Sequence, residues 1–182
     1  MPERFDAFGG RYTPLVRRKR IQTTFARAAN TTAYTIGDVV GPITTPALQA
    51  LPGAARGNGG SGLIADVLLE VDEPTITLGT FRLHVFNTTF APDADNAAFS
   101  KLHANAEYYQ GFCDPPILVA DFATASGAVT RLNSGIDAAK GLPMRFICAP
   151  GDSGLYVAII ALAAYVPKSG GLFRLSVIVE QD

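Results

Sequence analysis

Apolar positions along this chain recur every second residue, in short stretches broken by glycine, proline and polar turns. The run Leu63-Ile64-Ala65-Asp66-Val67-Leu68-Leu69-Glu70-Val71 predicts a strand over 62–72. A second is predicted over 76–86, where Leu78, Phe81, Leu83 and Val85 alternate with Thr77, Arg82 and His84. Asp72-Glu73-Pro74 joins the two as a turn. Thr23-Thr24-Phe25 places an earlier strand over 21–29, and Tyr34-Thr35-Ile36 a short extended piece before Gly37-Asp38. Residues 41–62, rich in Gly and Pro, read as an irregular region with one weak strand. Weaker strands are expected over 107–113, 117–122, 129–132 and 143–149. The polar, alanine-rich stretch 93–102 is assigned one short helix capped by Asp95 or Ser100, inside a long excursion at one end of the domain. Leu155–Val166 and Leu172–Glu180 read as a closing pair, joined by a turn at Lys168-Ser169-Gly170-Gly171.

Eight to ten strands with no βαβ alternation predict an all-β fold: a two-layer antiparallel sandwich, in jelly-roll form or another. At 182 residues, 48% of them hydrophobic, the chain suits one domain with a sizeable core. We expect the sandwich to occupy residues 21–182, preceded by a flexible basic N-terminal arm over 1–20. In that arm Phe8 and Tyr12, with Phe5 and Leu15, are the residues able to pin it to a surface.

The net charge of -1 conceals a polarity. Residues 1–30 hold seven Lys/Arg against two acids, and the rest of the chain is acidic. Arg17-Arg18-Lys19-Arg20 is the dense part, able to steer an acidic partner or to join copies head to tail. No aromatic residue interleaves it, so direct nucleic-acid contact is not expected. The longest apolar run, Leu155–Val166, is too short to cross a bilayer, and no membrane role is expected. Cys113 and Cys148 lie far apart without knuckle or redox spacing, which suggests a reducing compartment and neither disulfide nor metal.

Gly151-Asp152-Ser153-Gly154 resembles the nucleophile segment of chymotrypsin-like serine proteases, and His84 and His103 precede it in the order that class requires. The segment then runs into Leu155-Tyr156-Val157-Ala158, which is strand rather than pocket, and Pro-Gly-Asp-Ser-Gly is ordinary turn chemistry. Asp93-x-Asp95-Asn96 has oxygen ligands at short spacing but lacks the Gly and Glu of a calcium loop. The glycines at 57, 59, 60 and 62 lack the Lys-Ser/Thr of a phosphate loop. Tyr108, Tyr109 and Phe112 are the aromatic residues suited to a sugar or a protein contact. No catalytic, cofactor or metal site is assigned. The partner-binding assignment falls on Arg17, Arg18, Lys19, Arg20, Tyr12 and Phe8.

One resemblance bears on function. Tyr34-Thr35-Ile36-Gly37-Asp38-Val39-Val40-Gly41, Gly60-Ser61-Gly62-Leu63-Ile64, Leu83-His84-Val85-Phe86, Asp95-Asn96-Ala97-Ala98-Phe99 and Leu155-Tyr156-Val157 before the final strand 172–182 resemble a group of small structural proteins of tailed bacteriophages. The likeness covers residues 23–182 and leaves the arm outside. It implies a virion protein, assembled in the host cytoplasm, that decorates or cements a capsid. Its partners would be the major capsid protein, neighbouring virion proteins or its own copies. A glycan-binding sandwich and a small serine protease using Ser153 are the alternatives.

Overall fold

The computed structural model describes residues 16–42, 48–72, 80–115, 122–124, 127–133 and 141–182. In chain order the strands are β1 (Arg17–Ala26), β2 (Val39–Val40), β3 (Gln49–Leu51), β4 (Ser61–Asp72), β5 (Phe81–Phe86), β6 (Tyr109–Cys113), β7 (Phe122–Thr124), β8 (Gly127–Asn133), β9 (Met144–Ile147), β10 (Leu155–Ala161) and β11 (Leu172–Gln181). One 3-10 turn, His103–Tyr108, lies between β5 and β6.

The strands form two antiparallel sheets. One runs β1-β11-β4-β8-β7, with β9 also on β4; the other runs β2-β10-β5-β6, with β3 also on β10. With the β7-β8 hairpin taken as an insertion, the order β1-β11-β4-β9 lies in one sheet and β2-β10-β5-β6 in the other, with the first strand beside the last, and the arrangement is a jelly roll.

Alternation explains the larger sheet. β11 turns Phe173, Leu175, Val177 and Val179 inward and Leu172, Arg174, Ile178 and Glu180 outward. Along β4, Val67, Leu69 and Val71 point in, but so does Ile64, three residues before Val67. A bulge at Ala65 resolves the phase: Ile178 faces Asp66 while Val179 faces Ile64. Gly62 is required beside it, because a Cβ there would lie 2.5 Å from the Glu180 carbonyl oxygen and 2.7 Å from the Phe146 ring. Rings cross-link the core: Phe25 stacks on Phe173 at 5.2 Å, and Phe81 of the opposite sheet meets Phe173 edge-on at 6.0 Å.

Several expectations are corrected. The first strand begins at Arg17 rather than at 21 and ends at Ala26, so the four bases are strand residues and not arm. Pairing with β11 from Arg17↔Gln181 onward decides this, since four consecutive bases carry no apolar alternation. Phe8 and Tyr12 lie outside the described residues, as do 76–79 of the strand expected over 76–86 and 117–121 of the strand expected over 117–122. Leu155–Val166 and Leu172–Glu180 do not pair. β10 belongs to the smaller sheet and β11 to the larger, and the chain crosses between them after Ala161. Tyr165 anchors the crossing, bridged to Tyr34 and stacked on its ring at 5.0 Å.

The helix expected over 93–102 is absent there. The 3-10 turn comes later, and its N-cap is Leu102, whose side chain has no acceptor to cap with; Asp95 and Ser100 are engaged elsewhere. The excursion lies on the outer face of the smaller sheet rather than at an end. Its Phe90, Phe99, Leu102 and Tyr108 pack on Phe86, Ala158 and Ile160. Leu155, Val157 and Ile159 meanwhile face the central core, so β10 is buried on both sides and reads as an unbroken apolar run.

Candidate functional site

The two sheet faces that point away from the core are treated differently. The smaller sheet is roofed by its own chain. The larger presents a face built from the outward alternates of three neighbouring strands: Arg18, Arg20, Gln22 and Thr24 on β1, Leu172, Arg174, Ser176, Ile178 and Glu180 on β11, and Leu63, Asp66, Leu68, Glu70 and Asp72 on β4. Cations collect toward β1 and anions along β4. Ion pairs stitch the face: Arg18 to Glu180 at 3.0 Å, Arg174 to Glu70 at 3.5 Å and Lys168 to Asp72 at 3.2 Å. Between them lie half-exposed Leu63, Leu68 and Ile178. Two shallow depressions of about 130 and 210 Å³ mark this face, one at Arg20, Asp66 and Ile178, the other at Glu70, Leu172 and Arg174. A third, about 280 Å³, sits at Ser61, Gln110 and Arg145. All three fall below the roughly 300–1,000 Å³ of ordinary ligand pockets.

The basic run sits at the edge of this face. Alternation sends Arg18 and Arg20 outward and Lys19 inward. Arg20 donates to the Ser176 hydroxyl at 3.0 Å, and the Lys19 ammonium donates to the Gly53 carbonyl at 2.9 Å. The Gln181 side-chain amide donates to the same carbonyl at 2.9 Å and closes that corner.

The residues singled out for chemistry are dispersed. Ser153 stands in the turn before β10, where its carbonyl accepts from Ala55 N–H at 3.0 Å. Asp152 is turned to local use: the Tyr156 hydroxyl donates to it at 2.7 Å and Gly154 N–H at 2.8 Å, and these bonds hold its carboxyl below the usual range. His84 faces Ala158 across the ladder, five positions past Ser153, or ~16 Å at the strand rise. It lies on the outer face of β5, within hydrogen-bond distance of the Tyr109 hydroxyl at 3.1 Å, and its ring stacks on Phe99 at 5.6 Å. Burial, then the neighbouring Arg82 charge, lowers its pKa from 6.5 to about 4, so it is neutral at pH 7. His103 is exposed on the 3-10 turn. The geometry therefore supplies Ser153 with no histidine base.

Asp93 and Asp95 diverge as well. Asp93 accepts from the Ser100 N–H at 2.7 Å and from its hydroxyl. Asp95 is fully buried against Arg27 at 3.3 Å and accepts from the Tyr34 hydroxyl and Gly41 N–H. Among the described residues no group of three or more His, Cys, Asp or Glu is placed to hold a metal. Cys113 and Cys148 are buried free thiols, and burial pushes the Cys113 thiol up to about 12, away from the nucleophilic thiolate. The aromatic trio does not line an open groove. Tyr109 packs among the residues on Phe86, while the Arg82 guanidinium lies 4.1 Å over the Phe112 ring and makes a two-pronged pair with Asp114 at 2.7 and 2.6 Å. No sequence signal foretold the bare face. It needs the register of three strands far apart in the chain.

The chain matches no protein-family model and no curated protein. Among solved structures it is similar to a chain of the cyanophage Pam1 capsid asymmetric unit, at 16% identity over 100% of both chains with a TM-score of 0.41. It is similar to a chain of the Ralstonia phage GP4 capsid, at 16% identity over 93% of this chain and 86% of that one, TM-score 0.40. The third likeness is to PRD1 vertex protein P5, at 11% identity over 92% and 99%, TM-score 0.32.

Proposed function

We propose that this chain is a virion structural protein that decorates or cements a tailed-phage capsid through protein–protein contacts. The observation that carries the reading is the asymmetry of the sandwich. One sheet is roofed by the chain's own excursion, while the other has a shallow, ion-paired face that no other segment among the described residues covers. Such a surface suits a flat protein partner better than a small molecule, whose sites are concave. The sequence resemblance to small tailed-phage structural proteins suggests the kind of partner: the major capsid protein, neighbouring virion proteins and further copies of the chain. Many copies on one particle would gain attachment through avidity. Jelly rolls serve several unrelated functions, so the fold enters as analogy.

The test is occupancy. The purified chain, added to heads assembled from the major capsid protein, is expected to sediment with them and to saturate at a fixed ratio. A chain that stays in the supernatant at every concentration overturns the reading. Deleting residues 1–15, which spares all of β1, is expected to weaken attachment and leave the circular dichroism spectrum unchanged. Full occupancy by the truncated chain removes the arm from the interface.

A further inference from the structure

We propose that the open edge of β1 is a docking edge for an extended acidic segment of a virion partner, added antiparallel as one more strand of the larger sheet. This rests on the reading of the chain as a contact protein and names where and how one partner is held.

β1 is ten residues long and terminates its sheet. β11 pairs along all of it on one side, and among the described residues no strand pairs with the other. Alternate peptide groups of a strand point to each side, so about half of those in β1 face outward with hydrogen-bonding capacity to offer. Such an edge invites indiscriminate pairing unless charge guards it. Here the guard covers one half only: Arg17, Arg18, Lys19 and Arg20 occupy the first four positions, and Gln22, Thr23 and Thr24 in the second half are uncharged. Lys19 is the inward-pointing charge such edges commonly carry, held by the Gly53 carbonyl. The same bases that repel a basic strand attract an acidic one.

The geometry specifies the partner further. Arg18 and Arg20 stand on the outer face, so acids of an added strand meet them at outward positions about 5 Å away. Arg18 has capacity for this: its side chain is 65% exposed, and among the described residues one of its five donors is used, by Glu180. In the antiparallel sense, which is the more stable per residue, the acids fall in the C-terminal half of the incoming segment and uncharged polar residues in its N-terminal half. Main-chain bonds would give affinity and the Arg pair register and polarity, the division of labour of strand addition elsewhere.

Three ten-residue peptides of equal β propensity test this, with acids in the C-terminal half, acids in the N-terminal half, or none. Binding is read by fluorescence anisotropy and by amide hydrogen exchange along β1. The first peptide is expected to bind tightest, to slow exchange in β1, and to weaken as salt rises. Reversing both charges, Arg18→Glu with Arg20→Glu, is expected to weaken it about tenfold, and a lysine-bearing peptide to recover binding to that variant. Equal binding of all three, preference for the second peptide, or unchanged β1 exchange overturns the proposal. The wild-type peptide series stands even where the double variant fails to fold. Sedimentation with capsids is read separately, so the docking edge and the virion role can fail independently.

Discussion

Arg27 and Asp95 sit 68 positions apart, and neither shows any exposed side-chain surface. A buried pair of this kind is tolerable only when its remaining donors and acceptors are filled. They are: Arg27 also donates to the Tyr34 hydroxyl at 2.9 Å and to the Asn30 carbonyl at 2.6 Å, and Asp95 takes Gly41 N–H at 3.0 Å. Asp95→Ala strands a guanidinium in the interior and should cost about 3–5 kcal/mol in urea unfolding. A loss below about 1 kcal/mol would show that water reaches the site. His84 supplies the pH counterpart. Its pKa is lowered from 6.5 to about 4 in the fold, so above pH 6.5 it is neutral in both states and neutral to stability. As pH falls from 6.5 toward 4 the unfolded chain takes up the proton first, and stability drops by up to about 3 kcal/mol before levelling. Comparing urea midpoints of the wild type and His84→Phe between pH 7 and pH 4.5 isolates this term. Parallel curves would mean that His84 titrates normally.

At the scale of elements, the excursion between β5 and β6 and the strand β10 stabilise one another. Phe86 is fully buried and meets Phe90 edge-on at 4.8 Å, with Tyr109 at 5.5 Å. Phe86→Ala opens a cavity under the roof and should cost about 3–5 kcal/mol. It should also raise protease cleavage within residues 87–108, since local opening follows the loss of buried contacts. Unchanged cleavage with lowered global stability would show that opening of the roof does not depend on Phe86. The basic strand teaches a different lesson. Arg17–Arg20 alternate in and out like any strand residues, yet no hydropathy pattern marks them, because their backbone is ordered by β11 rather than by burial of their own side chains.

For the whole molecule, the question is whether a pocket or a surface does the work. Ser153 lies in the turn before β10 while His84 stands farther along the ladder, opposite Ala158, and the histidine faces outward under Phe99 and Tyr109. Ser153→Ala is therefore expected to leave capsid occupancy and melting temperature unchanged within error. A particle-processing defect in that variant would reopen the enzymatic alternative.

The polypeptide's own pattern determined the class of fold. Alternation in Leu63–Val71, Phe81–Val85 and Leu172–Val179, with turns between, admits little besides an antiparallel sandwich, because period-two burial is a local property of an extended backbone. What tertiary structure decided is which strands meet and which face stays bare. A short turn-like stretch between β10 and β11 reads as a hairpin, yet both faces of β10 are buried, and only a crossing to the other sheet gives each strand its neighbours. Asp95 reads as a helix cap until Arg27, distant in the chain, is folded against it. The docking edge likewise exists because β11 occupies one side of β1, a long-range pairing that residues 17–26 do not encode by themselves.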